Sequence, residues 1–335
     1  MRRLNLPSPV LAAPMAGGPS TPALVQAVAD AGSLAFVPAG YRTAEDLAGD
    51  LRQVRSGTGE LGVNLFVPDP VPADREAVAR YRAVIAAEVE SLGASLGPER
   101  WEDDDDWDAK VDLLCQDPVP WVSFTFGLPS ASVVRRLRGA GSRMLLTVTD
   151  VDEARAAAEL DPDGLVVQSA AAGGHRGTFD QRRTPGHDDL ADLVAAVTSV
   201  VVLPVVAAGG LAEPAAVRRV LEAGAEAVSV GTALLLADEA GTRPTHRAAL
   251  ADPGSTTTTM RAYTGRVARG IRTAFSDRYE SAAPAAYPAV HHLTSPLRRW
   301  AAANDDRDHL HLWAGTGFRS ARRGPASEVL ARLAP

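Results

Sequence analysis

The sequence predicts an α/β chain built as a parallel (β/α)8 TIM-type barrel, and three observations predict it. Eight short apolar runs recur along the 335 residues. A Gly/Pro turn and an amphipathic helix follow most of them. The runs are continuously apolar rather than alternating, as expected of strands buried on both faces. Eight strands alternating with helices close into a barrel, with a doubly wound open sheet as the alternative arrangement. In order, the runs are VLAAPM (10–15), LAFVPA (34–39), LGVNLFV (61–67), PWVSFTFG (120–127), RMLLTVT (143–149), GLVVQSA (164–170), PVVAAGG (204–210) and AVSVGTALL (227–235). The first helix is read from Pro22 to Ala31, with Gly32 as its stop; Thr43 and Asp150 are the expected N-caps of two later helices.

Two stretches break this rhythm. Residues 68–119 form an enlarged third crossover containing a long helix and the acidic run EDDDDWD (102–108), read as a solvated loop rather than a metal site. Residues 238–300 lack strand-like runs and are read as a mainly helical cap over the barrel mouth. The barrel itself is assigned residues 1–237 and 301–335, with a closing helix after about Pro296.

Composition excludes several classes of function. A net charge of −7, with arginine pairs scattered along the chain, does not suit a nucleic-acid binder. Cys115 is the sole cysteine, so no intramolecular disulfide can form, and its apolar helical setting reads as inert. Lys110 is the sole lysine, which leaves little room for a phosphate-loop or Schiff-base lysine. HExxH, GxxxxGK[ST] and CxxC patterns are missing, and APMAGG after the first strand has no GxGxxG spacing. No run approaches the roughly twenty apolar residues of a membrane helix. The start, broken by Pro7, Pro9 and Pro14, reads as a strand rather than a signal, and the protein as cytoplasmic.

In a barrel of this type the chemistry sits at the C-terminal strand ends. Here those ends are rich in glycine: Met15-Ala16-Gly17-Gly18, Gln168 to Gly177, Ala207 to Gly210, and Ser229 to Thr232. Bare backbone amides there can converge on an anion, so a phosphorylated ligand is expected. His175 follows Gly173 and Gly174 at such an end. It is read as the functional imidazole, able to take a proton or bond a charged substrate group. His187 is expected at a helix entry. His291, His292, His309 and His311 are expected at the surface or in packing, and no metal site is assigned.

Together these motifs resemble the nitronate monooxygenase family, formerly called 2-nitropropane dioxygenases. The matching segments are APMAGG (13–18), GVNLF (62–66), DDDDWDAKVDLL (103–114), VSFTFGLP (122–129), QSAAAGGHRG (168–177), AAGGL (207–211), SVGTALL (229–235), AYTGRVARGIR (262–272), YPAVHHLTSPLR (287–298) and LWAGTG (312–317). The histidine in AGGHRG is similar to the first class of the family. The resemblance implies a barrel with a smaller, mostly helical substrate domain and tightly bound FMN. It implies oxidation of alkyl nitronates, or nitroalkanes, by O2 to carbonyl compounds and nitrite. It places Met15, Ala16 and Gly17 against the isoalloxazine, Asn64 and Gln168 at its polar edge, and Gly173 and Gly174 nearby. It places Gly209, Gly210, Gly231 and Thr232 on the phosphate, and His175 as catalytic base or anchor of the nitronate oxygens. The chain departs from the family pattern at Ala171, Ser229 and Thr316, positions that bear on substrate preference. A flavin-dependent enoyl-thioester or NAD(P)H:quinone reductase shares such a site, and a non-catalytic flavin-binding protein is a further alternative. The cap leaves room for a second copy of the chain to pack as a homodimer.

Overall fold

The computed structural model describes residues 3–54, 60–183, 186 and 189–335; His187 lies outside the described residues. Its strands in chain order are β1 (Val10–Ala12), β2 (Ala35–Pro38), β3 (Leu61–Phe66), β4 (Trp121–Thr125), β5 (Arg143–Val148), β6 (Gly164–Gln168), β7 (Gly174–His175), β8 (Val205–Ala208), β9 (Ala227–Val230), β10 (Thr257–Met260) and β11 (Ala268–Ile271). Eight of them form one parallel sheet in the order β1-β9-β8-β6-β5-β4-β3-β2. The remaining seam is bridged by Ala12 N–H donating to Leu34 O at 3.0 Å. The sheet is thus a (β/α)8 barrel, and each expected apolar run supplies one of its strands. The first strand stops at Ala12, because Pro14 cannot donate to a ladder. The last stops at Val230, beyond which Thr232–Leu234 turns into a 3-10 helix.

The barrel floor is filled by Leu4, Leu11, Phe36, Trp121, Leu145 and Val206. The Arg143 guanidinium lies 3.9 Å from the Trp121 ring centre and donates to Leu4 O at 2.8 Å, closing that end. Outside the barrel, helices bury one face each against the strands. Helix Pro22–Asp30 is capped by Thr21, whose Oγ1 accepts from Leu24 N–H at 3.0 Å. The expected caps Thr43 and Asp150 accept from Asp46 N–H at 3.1 Å and Glu153 N–H at 2.8 Å.

The cap differs from its sequence reading in three ways. Thr257–Met260 and Ala268–Ile271 form an antiparallel hairpin, so the stretch does contain strands. Its β10 is a threonine run, β-branched but polar, which an apolar criterion passes over. Next, Val78, Tyr81, Ile85 and Val89 of the third crossover share one apolar cluster with Met260, Tyr263, Phe275, Val290, Leu293 and Leu297. Two stretches remote in sequence therefore make a single lobe. Last, Pro296 lies inside helix Ala289–Ala303. The helix that packs on the barrel wall is Ala326–Leu333, through Val329, Leu330 and Leu333.

The acidic run is a loop with Glu102, Asp104, Asp106 and Asp108 exposed, and it also clamps barrel to cap. Asp105 forms an ion pair of 2.9 Å with Lys110, which is 1% exposed, and accepts from Tyr41 N–H at 2.8 Å. Asp106 accepts from Ala44 N–H at 2.7 Å. Asp103 Oδ2 lies 2.6 Å from His292 Nε2. The hydrogen bond from His292 is the main reason the Asp103 carboxyl is held down to about 2. Removing one partner of a buried pair strands the other charge. Asp105→Asn should therefore destabilise the protein by roughly 3 kcal/mol, read as a lower midpoint in urea unfolding.

Candidate active site

The strand ends enclose a cavity of about 630 Å3, inside the roughly 300–1,000 Å3 range of cofactor and ligand pockets. All twelve residues assigned from the sequence line it: Met15, Ala16, Gly17, Asn64, Gln168, Gly173, Gly174, His175, Gly209, Gly210, Gly231 and Thr232. The barrel brings them together because each follows, ends or, for Asn64, lies within a strand of the same parallel sheet.

The glycines fit together as interlocking loops. A Cβ on Gly173 would stand 2.5 Å from Gly315 N and 2.9 Å from Thr232 Oγ1. Gly209 has φ +123°, and a Cβ there would meet Ser169 Oγ at 2.5 Å. Neither position has space for a side chain, so the backbone itself forms this wall. Thr232 Oγ1 accepts from Gly315 N–H at 2.9 Å, tying the C-terminal loop to the end of β9. Among the described residues, no protein acceptor takes the backbone N–H of Gly210 or of Thr232. Bare amides on the cavity lining, beside backbone walls packed too closely for a Cβ, suit the phosphate of a flavin nucleotide, so the residues present fit such a group.

Asn64 is buried, with Nδ2 bonded to Ser123 Oγ at 2.9 Å and Thr125 Oγ1 at 3.1 Å. Gln168 is partly committed elsewhere. Its Oε1 accepts from Gly177 N–H at 2.8 Å and its Nε2 donates to His175 O at 3.1 Å, which leaves one amide hydrogen for a ligand. Its main task in the fold is to brace the loop that carries His175.

His175 stands at the centre of an aromatic ring of Phe126, Trp313 and Tyr287, with centroids 5.9, 5.3 and 6.0 Å away. Desolvation, reinforced by Arg266 and Arg298, pushes its pKa down to about 3. The imidazole is therefore neutral at ordinary pH. Arg298 is 7% exposed and lines the cavity; burial lowers its pKa to about 10, so it stays charged. Its Nε donates to Thr294 Oγ1 at 3.1 Å and one terminal nitrogen to His291 O at 2.8 Å. Among the described residues no carboxylate pairs with it, so its charge is directed at the cavity.

The sequence reading missed the cap's contribution. Thr264, His291, Arg298, His311 and Trp313 all line the cavity. His291 and His311 are thus not surface or packing residues, in contrast to the expectation. His291 stacks on Tyr41 at 4.3 Å between centroids. Their neighbours His292 and His309 do serve packing: His309 lies 2.7 Å from Glu88 and 2.8 Å from Asp306. Consecutive helix residues point about 100° apart, so the pair 291–292 divides between cavity and clamp. The segments TGRVARG, YPAVHHLTSPLR and LWAGTG held all of these residues but His311, and spacing alone did not reveal which side chains turn inward. Cys115 is half-buried on helix Trp107–Gln116 and does not line the cavity.

Fold and cavity define a (β/α)8-barrel enzyme whose chemistry is placed at the C-terminal rim, under a helical and β-hairpin cap. The family model for nitronate monooxygenase matches residues 2–335, and the chain belongs to this family of flavin-dependent oxidoreductases. A probable nitronate monooxygenase of Staphylococcus aureus strain MSSA476 is 32% identical, over 98% of this chain and 94% of the relative. The solved nitroalkane oxidase of Streptomyces ansochromogenes is 43% identical with a TM-score of 0.92, covering 98% of this chain and 95% of that one. FabK of Thermotoga maritima, 22% identical with a TM-score of 0.75 over 98% and 92% of the two chains, shares the fold. No helix among the described residues is long and apolar enough to cross a membrane.

Burial lowers the pKa of His246 to about 4 and those of His291 and His311 well below the ordinary value. A histidine with a depressed folded-state pKa stabilises the protein fully above its unfolded pKa, about 6.5, and that stability is lost as pH falls. The urea midpoint should therefore drop steeply from pH 7 to pH 5. His246→Gln should make that drop shallower.

Proposed function

We propose that the cavity holds FMN and oxidises alkyl nitronates, and nitroalkanes after deprotonation, with O2 to carbonyl compounds and nitrite. The carrying observation is the placement of a neutral His175 over the glycine-lined rim, in a chain of the nitronate monooxygenase family. Gly209, Gly210, Gly231 and Thr232 would hold the phosphate through their amides. Met15, Ala16 and Gly17 would lie along the flavin ring, with Asn64 and the spare Gln168 amide hydrogen at its polar edge and Gly173–Gly174 alongside. When bound, FMN supplies the electron acceptor for the substrate.

The protein's own residues bind, orient and dehydrate. Arg298, charged and lacking a carboxylate partner among the described residues, raises the local concentration of a nitronate anion. Phe126, Tyr287 and Trp313 exclude water around His175. The imidazole then removes the α-proton of a neutral nitroalkane; the alternative role, hydrogen-bonding the nitronate oxygens, would require an N–H turned toward the substrate. Ser229 and Thr316, which stand where relatives usually carry glutamine, leave more room at the rim and would shape which nitronate fits. The chain would act in the cytoplasm, on small molecules.

The purified protein should show a flavin absorption spectrum, or acquire one on adding FMN. It should consume O2 with alkyl nitronates. Rapid anaerobic bleaching by NADH or NADPH, without bleaching by a nitronate, would overturn the assignment in favour of a reductase. His175→Asn should cut nitroalkane oxidation by about 10²–10⁴-fold and nitronate oxidation far less. Arg298→Met should raise KM for the nitronate roughly tenfold, at a nearly unchanged kcat.

A further inference from the structure

Among the described residues, the only side-chain hydrogen bond of His175 is to Thr264, with 2.9 Å between Nε2 and Oγ1. Which proton sits in that contact decides which ring nitrogen faces the substrate. The two residues are held from opposite sides. His175 belongs to β7, a two-residue strand paired antiparallel with β11 through Ala268, and Arg176 N–H donates to Val267 O at 2.8 Å. Thr264 belongs to the turn before β11, where its own N–H donates to Arg261 O at 3.0 Å. The contact thus rests on backbone pairing rather than on flexible side chains.

A threonine hydroxyl has a single proton to give. Thr264 Oγ1 also lies 3.2 Å from Arg266 O, in donor geometry. Arg266 is 1% exposed, and among the described residues no other donor reaches its carbonyl. Turning the hydroxyl toward His175 would leave that buried carbonyl without a partner, which native structures avoid. Giving the proton to Arg266 O satisfies the carbonyl, and the hydroxyl then accepts from His175 Nε2–H. That one assignment gives the Arg266 carbonyl, the Thr264 hydroxyl and His175 Nε2 a partner each. The second ring nitrogen, Nδ1, is left with its lone pair and, among the described residues, has no protein partner.

We infer that Thr264 is a positioning residue that fixes His175 as the Nε2–H tautomer, so that Nδ1 is the atom that takes the substrate proton. This inference rests on the proposed deprotonation of nitroalkanes. In that step the α-C–H bond breaks, its electron pair forms the C=N bond of the nitronate, and the proton moves to Nδ1. The resulting imidazolium keeps its Nε2–H on Thr264 Oγ1, backed by the Arg266 carbonyl dipole. The proton returns to solvent after turnover. Nitronates, already deprotonated, bypass the step.

Thr264→Val removes the hydroxyl while keeping the side-chain shape, and Thr264→Ser retains it. In the flavin-loaded protein, Thr264→Val should lower kcat/KM for a neutral nitroalkane about ten- to hundredfold, the range seen when the partner orienting an imidazole is lost. The nitronate value should stay within about threefold, and Thr264→Ser should restore the nitroalkane value to a similar margin. Equal losses on both substrates, or no restoration by serine, would show a purely structural role and overturn the inference. An activity-independent readout is 15N NMR of histidine-labelled protein, with the His175 signals identified by their loss in His175→Asn. The wild type should show a protonated, pyrrole-type Nε2 and a bare, pyridine-type Nδ1. The reverse pattern would overturn the inference. If the wild type oxidises neither substrate, the proposed function fails, while the NMR pattern still decides the tautomer.

Discussion

Two short antiparallel pairs, Gly174 with Arg269 and His175 with Ala268, join the barrel to its cap. The loop after β6 would otherwise be a glycine-rich connection free to move. Docked as an edge strand on the β10–β11 hairpin, it gains a fixed backbone, and its imidazole gains a fixed place. Gln168 secures the same loop from the barrel side by bonding His175 O and Gly177 N–H. The glycines that leave room for a ligand also let Gly173 approach Gly315. One arrangement therefore serves both the shape of the cavity and the position of its strand-end histidine.

The electrostatics follow from that enclosure. The aromatic wall of Phe126, Tyr287 and Trp313 strips water from His175, which favours its neutral form. The same desolvation lowers the Arg298 pKa without discharging it. The site thus holds a neutral imidazole beside a cation that has no carboxylate among the described residues. A neutral carbon acid or its already deprotonated anion is the chemistry such a pair can serve. Arg266, behind the wall and 4.1 Å from the Phe126 ring centre, adds to the positive field while hydrogen-bonding Thr178 O at 2.7 Å.

The barrel was legible because parallel strands buried on both faces leave an unbroken apolar signature, and eight such runs admit few arrangements. The rim was legible for a related reason: glycine where a loop needs none of the usual side chains marks close approach. His175 stood out as the titratable residue directly beside such glycines. The cap was less legible. Its β10 is a run of threonines, its cluster joins residues 78–89 with residues 260–297, and its histidines alternate between cavity and clamp. Local pattern carries none of that information, because each fact depends on which distant segment lies opposite. The acidic run shows the same limit: Asp105 meets Lys110 within reach in sequence, whereas Asp103 meets His292 only in space.

By itself the sequence determined the barrel, the glycine-lined rim and the identity of the imidazole on it. These follow from backbone rules that act over a few residues: hydrophobic period, turn chemistry and the absence of a Cβ. Only the tertiary structure decided that Arg298 faces the cavity without a carboxylate among the described residues, and that Thr264 meets His175. Those relations arise where the cap folds over the barrel, and a hydrogen bond or an unpaired charge is a property of the distance between chains of atoms, which no local spacing encodes.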